Sequence, residues 1–408
     1  MITAYPSRET MEQAWRELGR KISSYYAEGP QKNDEPLQRG ELVVLGSGLA
    51  IYDRTADIES ELVSADHVFY CLCDRLTQVW VSKLRPDALD LAALYDERVE
   101  RYATYARMAE AMLFYVRQGR KVVAILYGHP GVFATPAHRA IKIARSEGHR
   151  ARMRPGISAL DYLVADLGFD PALPGLQSFE ATDLLLRRRT IDPSLHIVLW
   201  QVGVVGELGF KADGFAKIGL PELQRVLIET YGPDWAVVHY VAPQYAGVEP
   251  LIENILISDL LKPETRGKLS AVSTFYIAPQ LAVETDEIFA RQIGLIGAND
   301  PPPPPERDWR VEIYADREIA ALRQLDDMQF PATFSVTPPS PAADFVMALG
   351  ENEKLRTEYR SDPEKLLNSG SFDSLSERSR RLLSINHPAS IATALWEAEG
   401  SLVDLAAE

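Results

Sequence analysis

The sequence predicts an α/β protein with more than one domain, and three observations carry this prediction. Apolar, strand-like segments alternate with helical segments between residues 41 and 280, which is the pattern of a layered α/β sheet. A proline-heavy stretch with five consecutive prolines at 301–305 then interrupts the pattern. A compact helical pattern follows from Ala342. A length of 408 residues allows two or three such domains.

The N-terminal region, residues 1–40, begins with a helical pattern and ends in a polar linker. Met11, Trp15, Leu18 and Ile22 recur at helical spacing, so they form one apolar stripe. We expect a helical extension that lies on the surface or forms an arm in a dimer.

The segment 41–284 carries the alternating pattern. Its strand-like runs are rich in Val, Ile, Tyr and Phe, and helices separate the early ones and end at glycines. The predicted strands are ELVVLG, DHVFYCLC, KVVAILYG, HRARMR, LHIVLWQVG, WAVVHYVAP and AVSTFYIAP. A long helix is predicted from Glu97 to the glycine at position 119. In such sheets ligands bind outside the carboxyl ends of the strands.

The remaining chain divides into three parts. Residues 285–341 predict an extended, proline-rich connector, and residues 342–398 predict a small all-helical domain in which Pro363 starts a helix. Residues 399–408 are a short tail, in which Leu402, Val403 and Leu405 are the apolar residues.

Composition excludes several classes of partner. The net charge of −15 argues against nucleic acid or an anionic membrane as the main partner, because phosphate binding needs a basic surface. No apolar run approaches the roughly 20 residues of a membrane-spanning helix. Cys71 and Cys73 lie two apart on one strand and are poorly placed to bond each other. We therefore expect a reduced, cytoplasmic setting without a signal peptide.

The first glycine turn, Gly46-Ser47-Gly48, follows a strand and half matches the dinucleotide fingerprint. The third glycine is absent, although Asp74 at the end of the next strand imitates the ribose-binding acid. A tight strand-to-helix turn is the favoured interpretation. An NAD-dependent enzyme using Gly46, Gly48 and Asp74 stays open, and calorimetry with NAD would test it.

A second turn, LYGHPGVF at 126–133, follows the strand KVVAI, and PGISA, EATD and WQVG follow in order. This ordered set resembles the tetrapyrrole methylase family, whose members bind S-adenosylmethionine (SAM) between two α/β lobes. With HRAIKIARSEGHRARMRPGISALDYLVADLG and VSTFYI, residues 41–280 resemble one branch, the borosin peptide backbone α-N-methyltransferases. The helical region, with DPEKLL and LSERSRRLL, resembles the domain that precedes the core peptide in borosin precursors.

The resemblance implies a two-lobed class III SAM methyltransferase with a proline-rich clasp and a fused recognition domain. It implies SAM as cofactor, S-adenosyl-L-homocysteine as product, a homodimer clasped by residues 285–341, and a ribosomally made peptide as substrate, in cis or in trans. The cofactor residues that it implies are Tyr127, Gly128, His129, Gly131, Val132, Phe133, Ser158, Ala159, Gln201 and Val202.

Methylating an amide needs a base and a cation, because the nitrogen lone pair is delocalised into the carbonyl. Arg101 and Tyr105 lie four apart on one helix face, and an adjacent arginine is expected to lower the pKa of a tyrosine. The family resemblance assigns Tyr95, Arg101 and Tyr105 as catalytic, with either tyrosine as base or relay. On the residues alone, a solvent-facing amphipathic helix is the favoured interpretation.

Other chemistry has weaker support. The histidines, including His129 and His239, are scattered without metal-ligand spacing, so we expect no metal. Two further functional interpretations stay open: a methylase acting on a tetrapyrrole-like small molecule, and a peptide-binding scaffold without activity. The tail shows no obvious core peptide.

Overall fold

The computed structural model describes residues 7–28, 38–211, 214–297, 316–331 and 339–396. Their contacts divide the chain into two compact units. The first comprises residues 1–54 and 65–308, and the second comprises residues 55–64 and 309–408.

The first lobe of the first unit is built on a parallel sheet. Its five strands are β1 (Glu41–Gly46), β2 (His67–Cys71), β3 (Leu89–Asp90), β4 (Lys121–Leu126) and β5 (Arg150–Arg154). They lie in the order β3-β2-β4-β1-β5 and all pair in parallel. β1 and β4, which read as continuous apolar runs, lie inside the sheet and are almost fully buried.

Helices cover this sheet. They are α1 (Arg8–Glu28), α3 (Arg75–Leu84), α4 (Arg101–Val116) and α5 (Thr135–Ser146). The next helix, α6 (Ala159–Leu167), packs Leu163 against Val198 and Tyr240 of the second lobe, and α2 (Ile58–Val63) belongs to the second unit. The apolar stripe of α1 packs on the lobe's core, with Leu18 buried and Trp15 and Ile22 against it. The predicted helix start at Glu97 is wrong: α4 begins at Arg101, so Tyr95 precedes the helix.

The second lobe is a mixed sheet. Its elements are β6 (Leu176–Glu180), α7 (Ala181–Leu186), β7 (His196–Trp200), α8 (Leu220–Tyr231), β8 (Ala236–Val241), β9 (Leu251–Leu256), α9 (Pro263–Lys268), β10 (Thr274–Ile277) and α10 (Glu287–Gln292). The strand order is β6-β7-β10-β8-β9, with β6 and β7 parallel and the other pairs antiparallel. β9 was not predicted, since it is an edge strand that is mostly exposed and carries glutamate and asparagine.

The second unit contains α2 and the helices α11 (Asp316–Arg323), α12 (Pro341–Glu351), α13 (Glu353–Ser361), α14 (Pro363–Leu367), α15 (Glu377–Ser384) and α16 (Pro388–Trp396). Phe345, Tyr359 and Leu383 are buried at the centre of its core. The prolines at 301–305 and the tail with Leu402, Val403 and Leu405 lie outside the described residues, whereas 285–341 contains α10 and α11. The two-lobed α/β fold followed by a helical region confirms the predicted fold class.

Candidate active site

Three glycine turns meet at the carboxyl ends of β1, β4 and β5. A Cβ on Gly46 would lie 2.5 Å from the carbonyl oxygen of Gly128 and 2.8 Å from Cα of Gly156. A Cβ on Gly156 would lie 2.6 Å from the same oxygen. The motifs GSG, GHPG and PGIS therefore pack backbone against backbone, which only glycine allows at these positions.

The first turn is closed by Asp53 instead of by a third glycine. Its carboxylate accepts hydrogen bonds from the backbone N–H groups of Leu49 (2.8 Å) and Ala50 (2.9 Å) and from the hydroxyl of Tyr162 (2.8 Å). Gly48, at φ +74°, pairs with Gly128. Asp74 caps α3 by accepting from the backbone N–H of Thr77 at 2.8 Å and is buried. These contacts give both halves of the dinucleotide pattern a structural role.

A cavity between the two lobes opens at these turns, and we call it the cofactor cavity. It is lined by Leu49, Tyr127, Gly128, His129, Val132, Phe133, Ser158, Ala159, Leu160, Trp200, Gln201, Tyr240, Val241, Ala242, Gln244, Ala271, Val272 and Thr274. Among these lining residues there is no Asp, Glu, Lys or Arg. Such a wall suits an uncharged ring or a sulfonium better than a phosphate.

Eight of the ten predicted cofactor residues line this cavity, and Gly131 and Val202 do not. The N–H of Gly131 donates to Nδ1 of His129 at 3.0 Å, and its carbonyl is 2.8 Å from Nε2 of His138. Val202 is fully buried in the core of the second lobe. From the second lobe, only Gln201 among the lining residues was predicted. The rest of that wall, including Trp200, was not, because no spacing along the chain indicates which strand ends face each other.

Two of the lining residues have left-handed backbone conformations that are uncommon for residues other than glycine. Phe133 has φ 52° and Gln201 has φ 58°. The two come from different lobes, and the ring of Phe133 lies 5.8 Å from that of Trp200. Backbone strain of this kind concentrates at ligand sites.

Ser158 and His129 line the cavity, and their side chains also form hydrogen bonds with nearby backbone N–H groups. The hydroxyl of Ser158 accepts from the N–H of Leu160 at 3.2 Å and donates to Asp161 at 2.6 Å, so it caps α6. Nδ1 of His129 accepts from the turn's own backbone, which leaves Nε2 as its other hydrogen-bonding atom.

The predicted catalytic tyrosines lie together, and a third tyrosine joins them. Tyr95 and Tyr105 affect each other's pKa through a side-chain hydrogen-bond interaction, which raises the pKa of Tyr95 and lowers that of Tyr105. Tyr127 interacts electrostatically with both. Tyr127 follows β4, donates its N–H to the carbonyl of Cys71 at 3.0 Å and lines the cofactor cavity. We call Tyr95, Tyr105 and Tyr127 the tyrosine cluster; it connects the cavity with α4.

The expectation of a lowered pKa at Tyr105 is wrong. Burial raises the pKa of Tyr105, and the charge of Arg101 and the hydrogen bond with Tyr95 only partly offset the rise. Burial also raises the pKa of Tyr95 and of Tyr127, and there the neighbouring groups add to the rise. The sequence showed the adjacent arginine but not the desolvation. Within the cluster, Arg101 and Tyr95 favour the phenolate at Tyr105.

Arg101 is held by a loop of the second lobe. Its backbone N–H donates to the carbonyl of Leu208 at 3.3 Å, and its Nη2 donates to the carbonyl of Gly209 at 3.1 Å. The ring of Phe210 lies 5.0 Å from the ring of Tyr95.

Within the described ranges, no group of three or more His, Cys, Asp and Glu side chains is arranged to hold a metal ion. In those same ranges, no helix has the length and apolar character to cross a membrane. Cys71 and Cys73 are both free thiols, as their spacing predicts.

Comparisons with known proteins identify the family. The family model "Tetrapyrrole (Corrin/Porphyrin) Methylases" matches residues 53–240. The chain is 40% identical over 347 residues to a methyltransferase/ribosomally synthesized type III borosin cyclic peptide precursor of Anomoporia bombycina, covering 82% of this chain and 40% of that protein. It is 39% identical over 337 residues to the methyltransferase/gymnopeptides precursor of Gymnopus fusipes, covering 80% of each.

A third relative, the methyltransferase/dendrothelin A precursor of Dendrothele bispora, is 35% identical, with 90% of this chain and 91% of that protein covered. Among solved structures, a cobalt precorrin-4 methyltransferase is similar at 16% identity and a TM-score of 0.43, covering 58% of this chain and 94% of that one. The relatives from Gymnopus fusipes and Dendrothele bispora are more than 30% identical to this chain over four fifths or more of their length, which establishes that it belongs to their family. The chain is a methyltransferase that belongs to the borosin methyltransferase/peptide-precursor family, with a tetrapyrrole methylase domain at its core.

Proposed function

We propose that this enzyme uses SAM to methylate backbone amide nitrogens of a ribosomally made peptide, the α-N-methylation of borosin maturation. One observation carries the proposal: an uncharged, aromatic cavity at the glycine turns shares Tyr127 with a cluster of tyrosines beside Arg101. A peptide amide N–H is a very weak acid, so removal of its proton needs a strong base. A tyrosine whose pKa is raised is such a base once ionised, and it lies next to the cofactor cavity. The names of the relatives, which join a methyltransferase to a cyclic peptide precursor, support the same conclusion.

The cavity suits SAM by its residue types. Tyr127, Phe133 and Trp200 offer aromatic faces and edges, and the close-packed glycine turns leave backbone groups next to the ligand. When bound, SAM supplies an electrophilic methyl group and leaves as S-adenosyl-L-homocysteine. The protein's own part is to exclude water, orient the peptide amide and remove its proton.

Tyr105 is the base in this proposal. As phenolate it accepts the amide proton, and its hydrogen bond with Tyr95 and the charge of Arg101 both favour that anionic form. Arg101 also stabilises negative charge that develops on the amide oxygen as the proton leaves. Tyr127, at the boundary between cavity and cluster, orients the reacting amide.

The helical region with α12–α16 is proposed to act as the recognition domain for the substrate, which is a peptide fused to this chain or a separate one.

We further propose a cytoplasmic homodimer. Several apolar side chains around α10 are exposed, including Ile288 at 82% and Leu295 at 77%, and a second copy would cover them. Light scattering is expected to give twice the chain mass, and Ile288→Glu should shift it toward the monomer while Leu186→Glu, on an exposed site of α7, should not.

Intact-mass spectrometry of the purified chain tests the function. After incubation with SAM, the mass of the chain or of an added peptide should rise in steps of one methyl group. The same incubation with Tyr105→Phe should give no such steps, and calorimetry should show SAM binding in both proteins. Absence of any methyl transfer by wild-type protein to either peptide would contradict the proposal.

A further inference from the structure

Residues 208–210, in the loop that follows β7, make three contacts with the catalytic residues, and we call them the clamp segment. The carbonyl of Leu208 accepts from the backbone N–H of Arg101, the carbonyl of Gly209 accepts from its guanidinium, and Phe210 packs on Tyr95. Arg101 and Tyr95 lie on the first lobe, so the segment reaches them from the opposite lobe.

The first contact satisfies a helix terminus. α4 begins at Arg101, and Glu100 at its N-cap makes no side-chain capping bond. The first N–H groups of a helix have no partner inside the helix, so they need one from elsewhere. Leu208 supplies a carbonyl for the N–H of Arg101 at 3.3 Å. The start of the catalytic helix therefore depends on the second lobe.

The second and third contacts fix side chains. Arg101 has many rotamers, and its bond to the carbonyl of Gly209 at 3.1 Å selects those that keep the guanidinium near Tyr105. The ring of Phe210, 5.0 Å from that of Tyr95 and tilted by 32°, limits the positions of the tyrosine that hydrogen-bonds Tyr105.

The base of the loop is itself anchored. The N–H of Gly206 donates to the hydroxyl of Thr182 at 3.1 Å, and buried Glu207 accepts from the N–H of Ala216 at 2.9 Å. A Cβ on Gly206 would lie 2.7 Å from the backbone nitrogen of Gly219, so the two ends of the loop are closely packed. The clamp segment thus projects from a fixed base.

We propose that Gly209 and Phe210 are positioning residues, which hold Arg101 and Tyr95 in the arrangement that makes Tyr105 a base. This inference rests on the proposed function and adds a dependence of the base on the second lobe. The groups that face Tyr105 are Tyr95, Arg101, Cys71 and Tyr127, and the clamp segment acts on the first two.

Phe210→Ala in the full chain tests the inference, with Leu186→Ala as the matched control. Leu186 is 72% exposed on α7 of the same lobe and lies outside the clamp segment, so the control keeps all three contacts. We expect Phe210→Ala to slow single-turnover methyl transfer by about 10²-fold, the usual effect of a small misplacement of catalytic groups. SAM affinity by calorimetry should stay unchanged.

Two readouts separate positioning from general damage. The pH–rate curve of Phe210→Ala should move to higher pH relative to wild type, since a displaced Tyr95 or Arg101 no longer favours the phenolate, and Phe210→Tyr should recover most of the rate. A Phe210→Ala protein that binds SAM and transfers methyl groups at the wild-type rate would overturn the inference. So would a slower rate with an unmoved pH curve. No transfer by wild type would count against the proposed function instead.

Discussion

At the scale of single residues, the account depends on Tyr105 and Arg101. Tyr105→Phe and Arg101→Ala should each lower the single-turnover rate about 10²- to 10⁴-fold, because a base or an oriented donor is lost. SAM affinity should not change, since neither residue lines the cofactor cavity. Tyr102→Phe is the matched control: Tyr102 is 64% exposed and adjacent to Arg101 on α4. Wild-type rates in both variants would leave α4 as scaffold.

The pH dependence follows from the raised pKa of Tyr105. Only the phenolate accepts a proton, and a raised pKa keeps it a minor form at neutral pH. The single-turnover rate should therefore rise with pH beyond neutrality, through the alkaline range, and not level off near pH 7. In Arg101→Ala the loss of positive charge should move the curve further toward high pH. A flat profile between neutral and alkaline pH would contradict Tyr105 as the base.

Predictions about single residues were correct where spacing along a helix was sufficient. They failed where burial determined the property, as for the pKa of Tyr105. The four-residue spacing of Arg101 and Tyr105 predicted that the two interact, and the charge of Arg101 does lower the pKa of Tyr105, against the larger effect of burial. The sign of the net pKa shift depended on desolvation, which comes from distant strands and helices. The position of Tyr127 within the tyrosine cluster was missed for the same reason, although it directly follows a predicted strand.

At the scale of elements, the glycine turns hold the cofactor cavity together. Gly46→Ala would place a Cβ against the backbone of Gly128 and Gly156 and against Pro130, none of which is a flexible side-chain end. Such overpacking costs about 1–3 kcal/mol. We expect a lower midpoint in thermal unfolding and weaker SAM binding by calorimetry. In Gly267→Ala, nothing lies within 4 Å of the added Cβ and the position is helical, so SAM affinity should match wild type and the unfolding midpoint should not fall.

Unchanged SAM affinity in Gly46→Ala would mean that the glycine turns do not form the cofactor site. Gly46→Ala is a better test than a substitution at Gly131, where an added Cβ would meet the sulfur of Met153 at 2.9 Å and the ring of His129. Those are ends of side chains that can move.

Element prediction worked for buried strands and less well for edges. β1, β4 and β7 are almost fully buried, so their side chains are apolar on both faces of the sheet and each strand reads as an almost uninterrupted apolar run. β3, with two residues, and β9, with an exposed and partly polar pattern, carry no such signal. The predicted start of α4 was four residues too early, because residues 97–100 are compatible with a helix by sequence. Tertiary contacts make the helix begin at Arg101.

At the scale of the whole molecule, the second unit is discontinuous in sequence, which no local pattern indicates. Residues 55–64, with α2, belong to it together with the C-terminal helices. Arg356 on α13 contacts Glu353 at 2.6 Å, Asp57 at 3.5 Å and Glu61 at 3.7 Å, and all four side chains are buried. The two chain segments are thus joined by a buried ion cluster.

Arg356→Met should destabilise the second unit strongly. Removing one partner of a buried ion pair leaves uncompensated charge and costs about 3–5 kcal/mol. Unfolding in denaturant, followed by circular dichroism, should show a transition at lower denaturant concentration for this variant. Arg360→Met, an exposed position one turn further along α13, should unfold like wild type. Equal transitions in the two variants would mean that the cluster contributes nothing to stability.

Transfer of methyl groups to main-chain nitrogens of a peptide is best tested by tandem mass spectrometry. The chain, or an added peptide, is incubated with SAM carrying a deuterated methyl group. We expect labelled fragments in which the added mass lies on backbone amides, and none in Tyr105→Phe. Label confined to side chains, or found only on a small molecule, would contradict the proposed function.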